Sequence, residues 1–426
     1  MKLFFPQLKN INAEISLAGD KSVSHRAVIF ASMAKGTSEI ENCSAGEDVK
    51  STIECFKNLG VKIEKSNNNL IIHGVGRFGF KPPLKSLYAG NSGTTARLLA
   101  GLLATQKFNS TITGDSSLSI RPMKRLLPPL SLLGGNLKLS NSDTLPLEIY
   151  SSNKLHHGRY FSSTPSAQVK SAFLLSALNI DEISSYIETV PTRNHTEIML
   201  DLNLQKIEPG VEIFVSSINY PVEGYFKIPG DISSAAFFIV LAILIPSSTI
   251  KISGVLLNPS RIAFIEILKE MGASIEVINK ESLCNEISGD IIVRSSVLKN
   301  VRIKEEIISS IIDEIPILAV AGAFAEGEFL ITGASELRVK ESDRIESICK
   351  NFINAGMDVE IFQDGFRIKG RYKAIKEVNF QSFGDHRIAM AFAVYCLVNE
   401  KGGFVDDIDS SNISNPGFLQ IISTFY

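Results

Sequence analysis

The chain has little that would tie it to a disulfide framework, a metal or a membrane. Its five cysteines (Cys43, Cys55, Cys284, Cys349, Cys396) are odd in number and scattered through 426 residues, with no C-x-x-C pair. That argues against a disulfide scaffold or a zinc site and fits a reducing cytosol. The longest apolar run, residues 235–245, spans 11 residues and stops at Pro246, about half of what a membrane helix needs. Near the N-terminus, Leu3-Phe4-Phe5 ends at Pro6, too short a run for a secretory signal. Neither sign of charge is in excess: 43 Lys+Arg against 45 Asp+Glu leave a net −2, which offers nucleic acid no general basic field. A soluble, cytoplasmic protein is expected, without nucleic-acid or membrane partners. Any anionic ligand must then be met by local clusters.

The length suggests two or three domains, each with its own core. Six times along the chain a small or polar cluster opens a short helix that is apolar almost all round. The clusters are Lys21 to Arg26, Asn91 to Arg97, Ser166 to Lys170, Asp231 to Ser234, Asp313-Glu314 and Asp385 to Arg387. A helix apolar on every face has to be buried. Glycine-then-hairpin patterns follow Gly60, Gly135, Gly272 and Gly356, with a further copy at Leu204 to Val215 and a turn at Asn67–Asn69. They suggest a unit of roughly 70 residues with helices inside and sheets outside, the reverse of a doubly wound fold. Ala18-Gly19-Asp20 and Pro229-Gly230-Asp231 read as junctions of two similar halves with a cleft between them.

The run Arg338-Val339-Lys340-Glu341-Ser342-Asp343-Arg344 precedes a helix that the apolar spacing of Ile345, Ile348 and Phe352 starts near Ser342 and Gly356 stops. Its cations therefore stand where the helix macrodipole is already positive. The same oddity recurs at Lys21, Arg26, Arg97, Lys170 and Arg387. Helix N-termini suit phosphate or carboxylate, and cations added there make electrostatic sense if something negative arrives. Among these cations, Asp313 and Glu341 are candidates for general acid–base work; a plain N-cap is the competing reading for Asp313. Gly74-Val75-Gly76-Arg77-Phe78-Gly79 has the dinucleotide-binding spacing, but Pro82-Pro83 forbids the helix that must follow. On the residues alone, the reading is two domains binding small polyanions, using carboxylate chemistry without metal or cofactor.

At these residues the chain resembles the 5-enolpyruvylshikimate-3-phosphate synthase (3-phosphoshikimate 1-carboxyvinyltransferase) family. The resemblance is carried by Gly19 to Arg26, Gly90 to Arg97, Arg121-Pro122-Met123, Ser166-Ala167-Gln168, Leu337 to Arg344 and Gly384 to Arg387, in family order. It implies a two-domain inside-out α/β barrel with three βαβ-type repeats per domain. Residues 1–18 plus 230–426 would form one domain and 19–229 the other, with the active site in the cleft between them. The implied reaction moves the enolpyruvyl group of phosphoenolpyruvate to the 5-hydroxyl of shikimate 3-phosphate, by addition and elimination through a tetrahedral intermediate. Lys21, Ser22, Arg26, Ser166, Gln168, Arg193, Asp313 and Lys340 would hold shikimate 3-phosphate. Lys21, Gly93, Arg121, Gln168, Arg344 and Arg387 would surround phosphoenolpyruvate. Asp313 would act as base on the hydroxyl and Glu341 on proton traffic at the methylene carbon, with Lys21 and Lys340 in support. A monomer acting on two small molecules is expected, with Arg338 and Asp343 structural.

Two departures stand out. Ala167 replaces the second serine of many relatives, and Ser411 to Pro416 replaces a segment that carries a lysine in them. Gly93, with no side chain, implies that glyphosate, the family's inhibitor, competes with phosphoenolpyruvate. The rival reading, an enolpyruvyl transferase acting on UDP-N-acetylglucosamine, would place Lys-Asn at the first head and a cysteine before Arg121-Pro122; here Lys21-Ser22 and Ser116 to Ile120 stand there. A non-catalytic polyanion-binding module is the other alternative, and it would not need carboxylates among its cations.

Overall fold

The computed structural model describes residues 1–67, 69–152, 154–162, 164–371 and 377–426; Asn68, at the centre of the expected Asn67–Asn69 turn, lies outside them. The chain divides into two compact units. One comprises Met1–Ala18, Pro229–Ser282 and Ile287–Tyr426, the other Gly19–Ile228 and Leu283–Glu286. The boundary thus falls one residue before Gly230, and the hairpin tip Leu283–Glu286 groups with the second unit. There Cys284 Sγ donates to the Lys227 carbonyl and Glu286 pairs with His195.

In the second unit the inner helices are Lys21–Met33, Gly93–Leu103 and Ala167–Ala177. Their central residues are almost all buried, as all-round apolar sequences require. Each helix leads into a strand (Lys35–Glu41, Ser110–Thr113, Ser184–Glu188) that pairs antiparallel with the second strand of a hairpin. The hairpins are Lys62–Ser66 with Asn69–Val75, Asn136–Leu139 with Leu147–Tyr150, and Leu204–Ile207 with Gly210–Val215. A fourth, parallel strand comes from the neighbouring repeat: Tyr225–Lys227 joins the first sheet, Leu87–Tyr88 the second and Arg159–Ser162 the third. The repeats are therefore interlocked in a ring, and none completes its sheet alone.

The first unit repeats the plan with helices Ile232–Leu244, Ile315–Phe324 and His386–Val398. Its hairpins are Ser274–Leu283 with Glu286–Arg294 and Val359–Phe362 with Gly365–Lys369. The third sheet has no hairpin among the described residues, and the N-terminal segment supplies its antiparallel strand as well as the parallel strand of the first sheet. Leu3–Phe5 pairs antiparallel with Gly403–Val405, and Asn12–Ser16 pairs parallel with Thr249–Leu256. Phe380, Phe392, Phe352 and Tyr395 knit the last inner helix to the outer layer, with ring centroids 4.6 Å apart for Phe380–Phe392. Fully burying each such ring is worth roughly 1.5–3 kcal/mol.

Five inner helices start from an acidic or hydroxyl N-cap: Asp20, Ser92, Ser166, Asp231 and Asp385 each accept from a backbone N–H of the first turn. The Ile315 helix opens at Glu314 without a side-chain cap bond and has Pro316 in its first turn, where a missing N–H costs nothing. Asp313 is thus not the N-cap. The helix expected near Ser342 runs Arg344–Ala355, capped by Asp343 and closed by Gly356 in the left-handed region at φ 90°, where glycine carries no Cβ penalty.

Candidate active site

In the second unit the three inner helix heads are joined by one hydrogen-bond circuit. Lys21 Nζ donates to Asp48 Oδ2 at 2.8 Å. The Asp48 carbonyl accepts from Thr95 Oγ1, which also reaches Ser92 Oγ at 2.8 Å and Thr52 Oγ1 at 2.7 Å; Thr52 in turn meets His25 Nδ1 at 2.7 Å. From the second head, Arg97 Nη1 donates to Gln168 Oε1 at 2.5 Å, and Gln168 Nε2 donates back to Thr94 Oγ1 at 3.0 Å. The circuit closes at Arg26, whose guanidinium donates to Ser171 Oγ, Thr196 Oγ1 and the Ser22 carbonyl at 2.8–2.9 Å. Burial pushes Arg26 down to about 10, partly offset by Glu197 and Glu286, so it stays a cation at neutral pH. Burial also pushes His25 down to about 3, so His25 is a neutral hydrogen-bonding link.

Gly93 opens the second inner helix with no room for a side chain on one side. A Cβ there would lie 2.7 Å from Arg97 Nη1 and 3.6 Å from Arg121 Nη1. Arg121 is nearly buried and donates to Asn91 Oδ1 at 2.8 Å, while Asn91 is oriented by Asp115. Gly93, Arg97, Arg121 and Gln168 thus form one polar cluster, and Lys21, Ser22 and Arg26 lie on the first head. Arg193 stands near enough to Arg26 to oppose its charge, and Ser166 caps the third helix.

In the first unit the charged groups converge on Arg344, which is 1% exposed. Its Nε donates to Asp385 Oδ2 at 2.7 Å, Nη2 to Glu341 Oε2 at 2.8 Å and Nη1 to Asp313 Oδ1 at 3.2 Å. Lys340 Nζ lies 3.8 Å from Asp313 Oδ1. Arg387 Nη1 donates to the Asp313 carbonyl at 3.0 Å, and its Nη2 lies 3.7 Å from Asp313 Oδ2. Burial works against the charge on Arg344, but Asp385, Glu341 and Asp313 raise its pKa well above the ordinary value. Burial alone would push the Asp385 carboxyl up; the Arg344 guanidinium outweighs this and holds it below the usual range. Glu314, fully buried at the next head, accepts from Ser233 Oγ at 2.5 Å, and Arg261 Nη2 donates to the same hydroxyl at 2.7 Å. Arg338 pairs with Asp343 at 2.7 Å and donates to the Gln363 and Phe362 carbonyls, so both residues fix the start of the Arg344 helix.

The structure corrects one expectation. The cations at helix starts were read as waiting for an external anion, yet four already have internal ones: Lys21 has Asp48, and Arg387 has Asp313 and Glu314 nearby. Lys170 is fully buried between Glu188 at 2.8 Å and Glu197 at 2.6 Å. Arg344 has its three carboxylates. Glu341, three residues before Arg344, was visible in the same charged run; Asp313, Asp385, Glu188 and Asp48 come from 31, 41, 18 and 27 residues away, where a local charge pattern could not show them. Asp385 and Asp48 are the principal residues that sequence reasoning left without a role. Asp385 was visible inside Gly384 to Arg387, whereas nothing local marked Asp48. Among the described residues no group of three or more His, Cys, Asp or Glu side chains is arranged to hold a metal ion, and no single described helix is long and apolar enough to cross a membrane.

What the geometry supplies is a pair of clusters: cations on hydroxyl-rich helix starts in one unit, and in the other three carboxylates held against a buried guanidinium. The sequence-family model of EPSP synthase (3-phosphoshikimate 1-carboxyvinyltransferase) matches residues 6–422. The 3-phosphoshikimate 1-carboxyvinyltransferase of Syntrophomonas wolfei is 42% identical, over 98% of this chain and 98% of that protein. The EPSP synthase of Acinetobacter baumannii superposes with a TM-score of 0.87 at 37% identity, covering 99% of this chain and 97% of that one. The enolpyruvyl transferase NikO from Streptomyces tendae, at 12% identity and a TM-score of 0.75 over 100% and 96% of the two chains, shares the fold. The chain belongs to the EPSP synthase family and has its two-domain inside-out α/β fold.

Proposed function

We propose that this protein transfers the enolpyruvyl group of phosphoenolpyruvate to the 5-hydroxyl of shikimate 3-phosphate and releases phosphate. The observation that carries the reading is the Arg344 cluster, in which Asp313 and Glu341 share one buried cation. Polyanion binding alone gives no reason to keep carboxylates where anions must land. In the proposed roles, Lys21, Ser22, Arg26, Ser166, Gln168, Arg193, Asp313 and Lys340 hold shikimate 3-phosphate. Lys21, Gly93, Arg121, Gln168, Arg344 and Arg387 receive phosphoenolpyruvate, whose planar carboxylate and phosphate suit the guanidinium fork.

The carboxylates account for the chemistry. Asp313 takes the proton of the 5-hydroxyl as its oxygen adds to C2 of phosphoenolpyruvate, and Glu341, with Lys21 and Lys340 in support, delivers a proton to the methylene carbon. The resulting tetrahedral intermediate returns one methyl proton to Glu341 as the C–O bond to phosphate breaks, which forms the enol ether, and the proton held by Asp313 leaves with the phosphate. Incoming phosphoenolpyruvate takes the place of Glu341 and Asp313 on Arg344, while Asp385 stays behind it. The exchange frees both carboxylates for proton transfer. Such groups contribute typically 10²–10⁴-fold each. A cytoplasmic monomer acting on two small molecules completes the proposal. Phosphate release with phosphoenolpyruvate and shikimate 3-phosphate tests it; release with UDP-N-acetylglucosamine as acceptor instead would favour the rival transferase.

A further inference from the structure

Lys170 and its two carboxylates have no part in the chemistry above, yet they occupy one of the most enclosed polar sites in the second unit. A buried ion cluster is weak evidence of stabilisation, because apolar residues of like volume often serve as well. Its position suggests another use. Glu188 ends the strand Ser184–Glu188, and Glu197 lies in the short helix His195–Met199. The segment between them, 189–194, carries Arg193. Inside that segment Thr192 Oγ1 donates to Glu188 Oε2 at 2.7 Å. Just downstream, three successive buried residues each hold a polar partner. His195 meets Glu286 at 2.6 Å, Thr196 accepts from Arg26 Nε at 2.8 Å, and Glu197 pairs with Lys170. The segment is thereby fastened at its start, in its middle and at its end, and the last fastening is shared with Arg26.

We propose that the Lys170–Glu188–Glu197 cluster, with Thr192 as its tether, positions Arg193 beside Arg26 and so sets affinity for the phosphorylated acceptor substrate. The inference rests on Arg26 and Arg193 holding shikimate 3-phosphate, as in the proposed function. An arginine whose backbone is fixed in advance loses less freedom when its ligand arrives. Thr192 is then a positioning residue: it acts through Arg193 and touches neither the reacting atoms nor the phosphoenolpyruvate cluster.

Thr192→Val deletes the hydroxyl at nearly constant shape, and Thr192→Ser restores it. Loss of one hydrogen bond to a charged acceptor should raise KM for shikimate 3-phosphate about tenfold. The expected pattern is unchanged kcat and unchanged KM for phosphoenolpyruvate, with Thr192→Ser at wild-type values. Glu197→Gln, which weakens the cluster from its other side, should give the same split in KM. A wild-type KM in Thr192→Val, an equal rise in both KM values, or a fall confined to kcat would overturn the inference while leaving the function standing. A wild-type protein that does not turn over shikimate 3-phosphate would overturn the function and the inference with it.

Discussion

Replacing Asp385 by Asn isolates the contribution of the carboxylate that stands behind Arg344. Asparagine is a good N-cap, so the bond from the Arg387 N–H at 2.9 Å can persist and the His386–Val398 helix keeps its start. What is lost is the charge and, where Oδ2 accepted from Arg344 Nε at 2.7 Å, the acceptor itself, because an amide NH2 stands there instead; the contact of Nη2 with Oδ1 at 3.3 Å can persist. A hydrogen bond between charged groups is worth about 1.5–3 kcal/mol net, and breaking a buried pair outright costs about 3–5. Arg344 keeps Glu341 and Asp313, so the upper figure is not reached and a loss of about 2–3 kcal/mol is expected. In a unit of this size that corresponds to a thermal midpoint lower by about 5–10 °C at pH 7.

The pH dependence follows from the direction of the Asp385 shift. Its folded pKa is depressed below the ordinary 3.8, so its contribution is complete above the unfolded value and fades as pH falls through the lower folded one. The wild-type advantage should hold from pH 7 to about pH 5 and narrow only below about pH 4. Denaturant titrations of both proteins at pH 7, 5 and 3 measure it. A gap under about 0.5 kcal/mol at pH 7, or one that already shrinks between pH 7 and 5, would refute the reasoning.

Two other perturbations probe the second unit. Gly93→Ala would set a methyl 2.7 Å from Arg97 Nη1 and force that flexible tip away from Gln168; KM for phosphoenolpyruvate should rise about tenfold with stability nearly unchanged, and an unaltered KM would count against the cluster. His25 is buried with its pKa pushed down to about 3, against 6.5 when exposed, so below pH 6.5 the unfolded chain takes a proton that the folded one refuses. That costs about 2–3 kcal/mol by pH 4.5. His25→Gln should therefore lose less stability than wild type between pH 7 and 4.5, and equal losses in denaturant midpoints would show that His25 is not the group involved.

Much of the fold was legible because burial writes itself into composition. Helices such as Ile232–Leu244 and Ile315–Phe324 are apolar on every face, and the hairpins after Gly60, Gly135, Gly272 and Gly356 alternate as half-exposed strands do. The parallel strands that interlock the sheets were not legible. Tyr225–Lys227 pairs with Lys35–Glu41, and Asn12–Ser16 with Thr249–Leu256; such short segments are specified by tertiary pairing across about 190 to 240 residues rather than by their own pattern. The site divides in the same way. Lys340, Glu341 and Arg344 stood out as one charged run, and the structure brings them to Asp313 and Arg387. The partners that fix their charge could not be seen. Asp385 lies 41 residues from Arg344, and Asp48 lies 27 from Lys21. A cation at a helix start therefore signals that an anion is near, but the sequence does not say whether that anion is a ligand or a carboxylate of the same chain.

The central claim is that this chain performs enolpyruvyl transfer with Asp313 as the group that accepts the hydroxyl proton. Phosphate release from phosphoenolpyruvate, measured for the wild type and Asp313→Ala with each acceptor, tests it most directly. The account predicts release by the wild type with shikimate 3-phosphate and none with UDP-N-acetylglucosamine. It further predicts that Asp313→Ala loses about 10²-fold or more in kcat while still binding shikimate 3-phosphate by calorimetry. Release with UDP-N-acetylglucosamine alone, or near-normal kcat in Asp313→Ala, would contradict it.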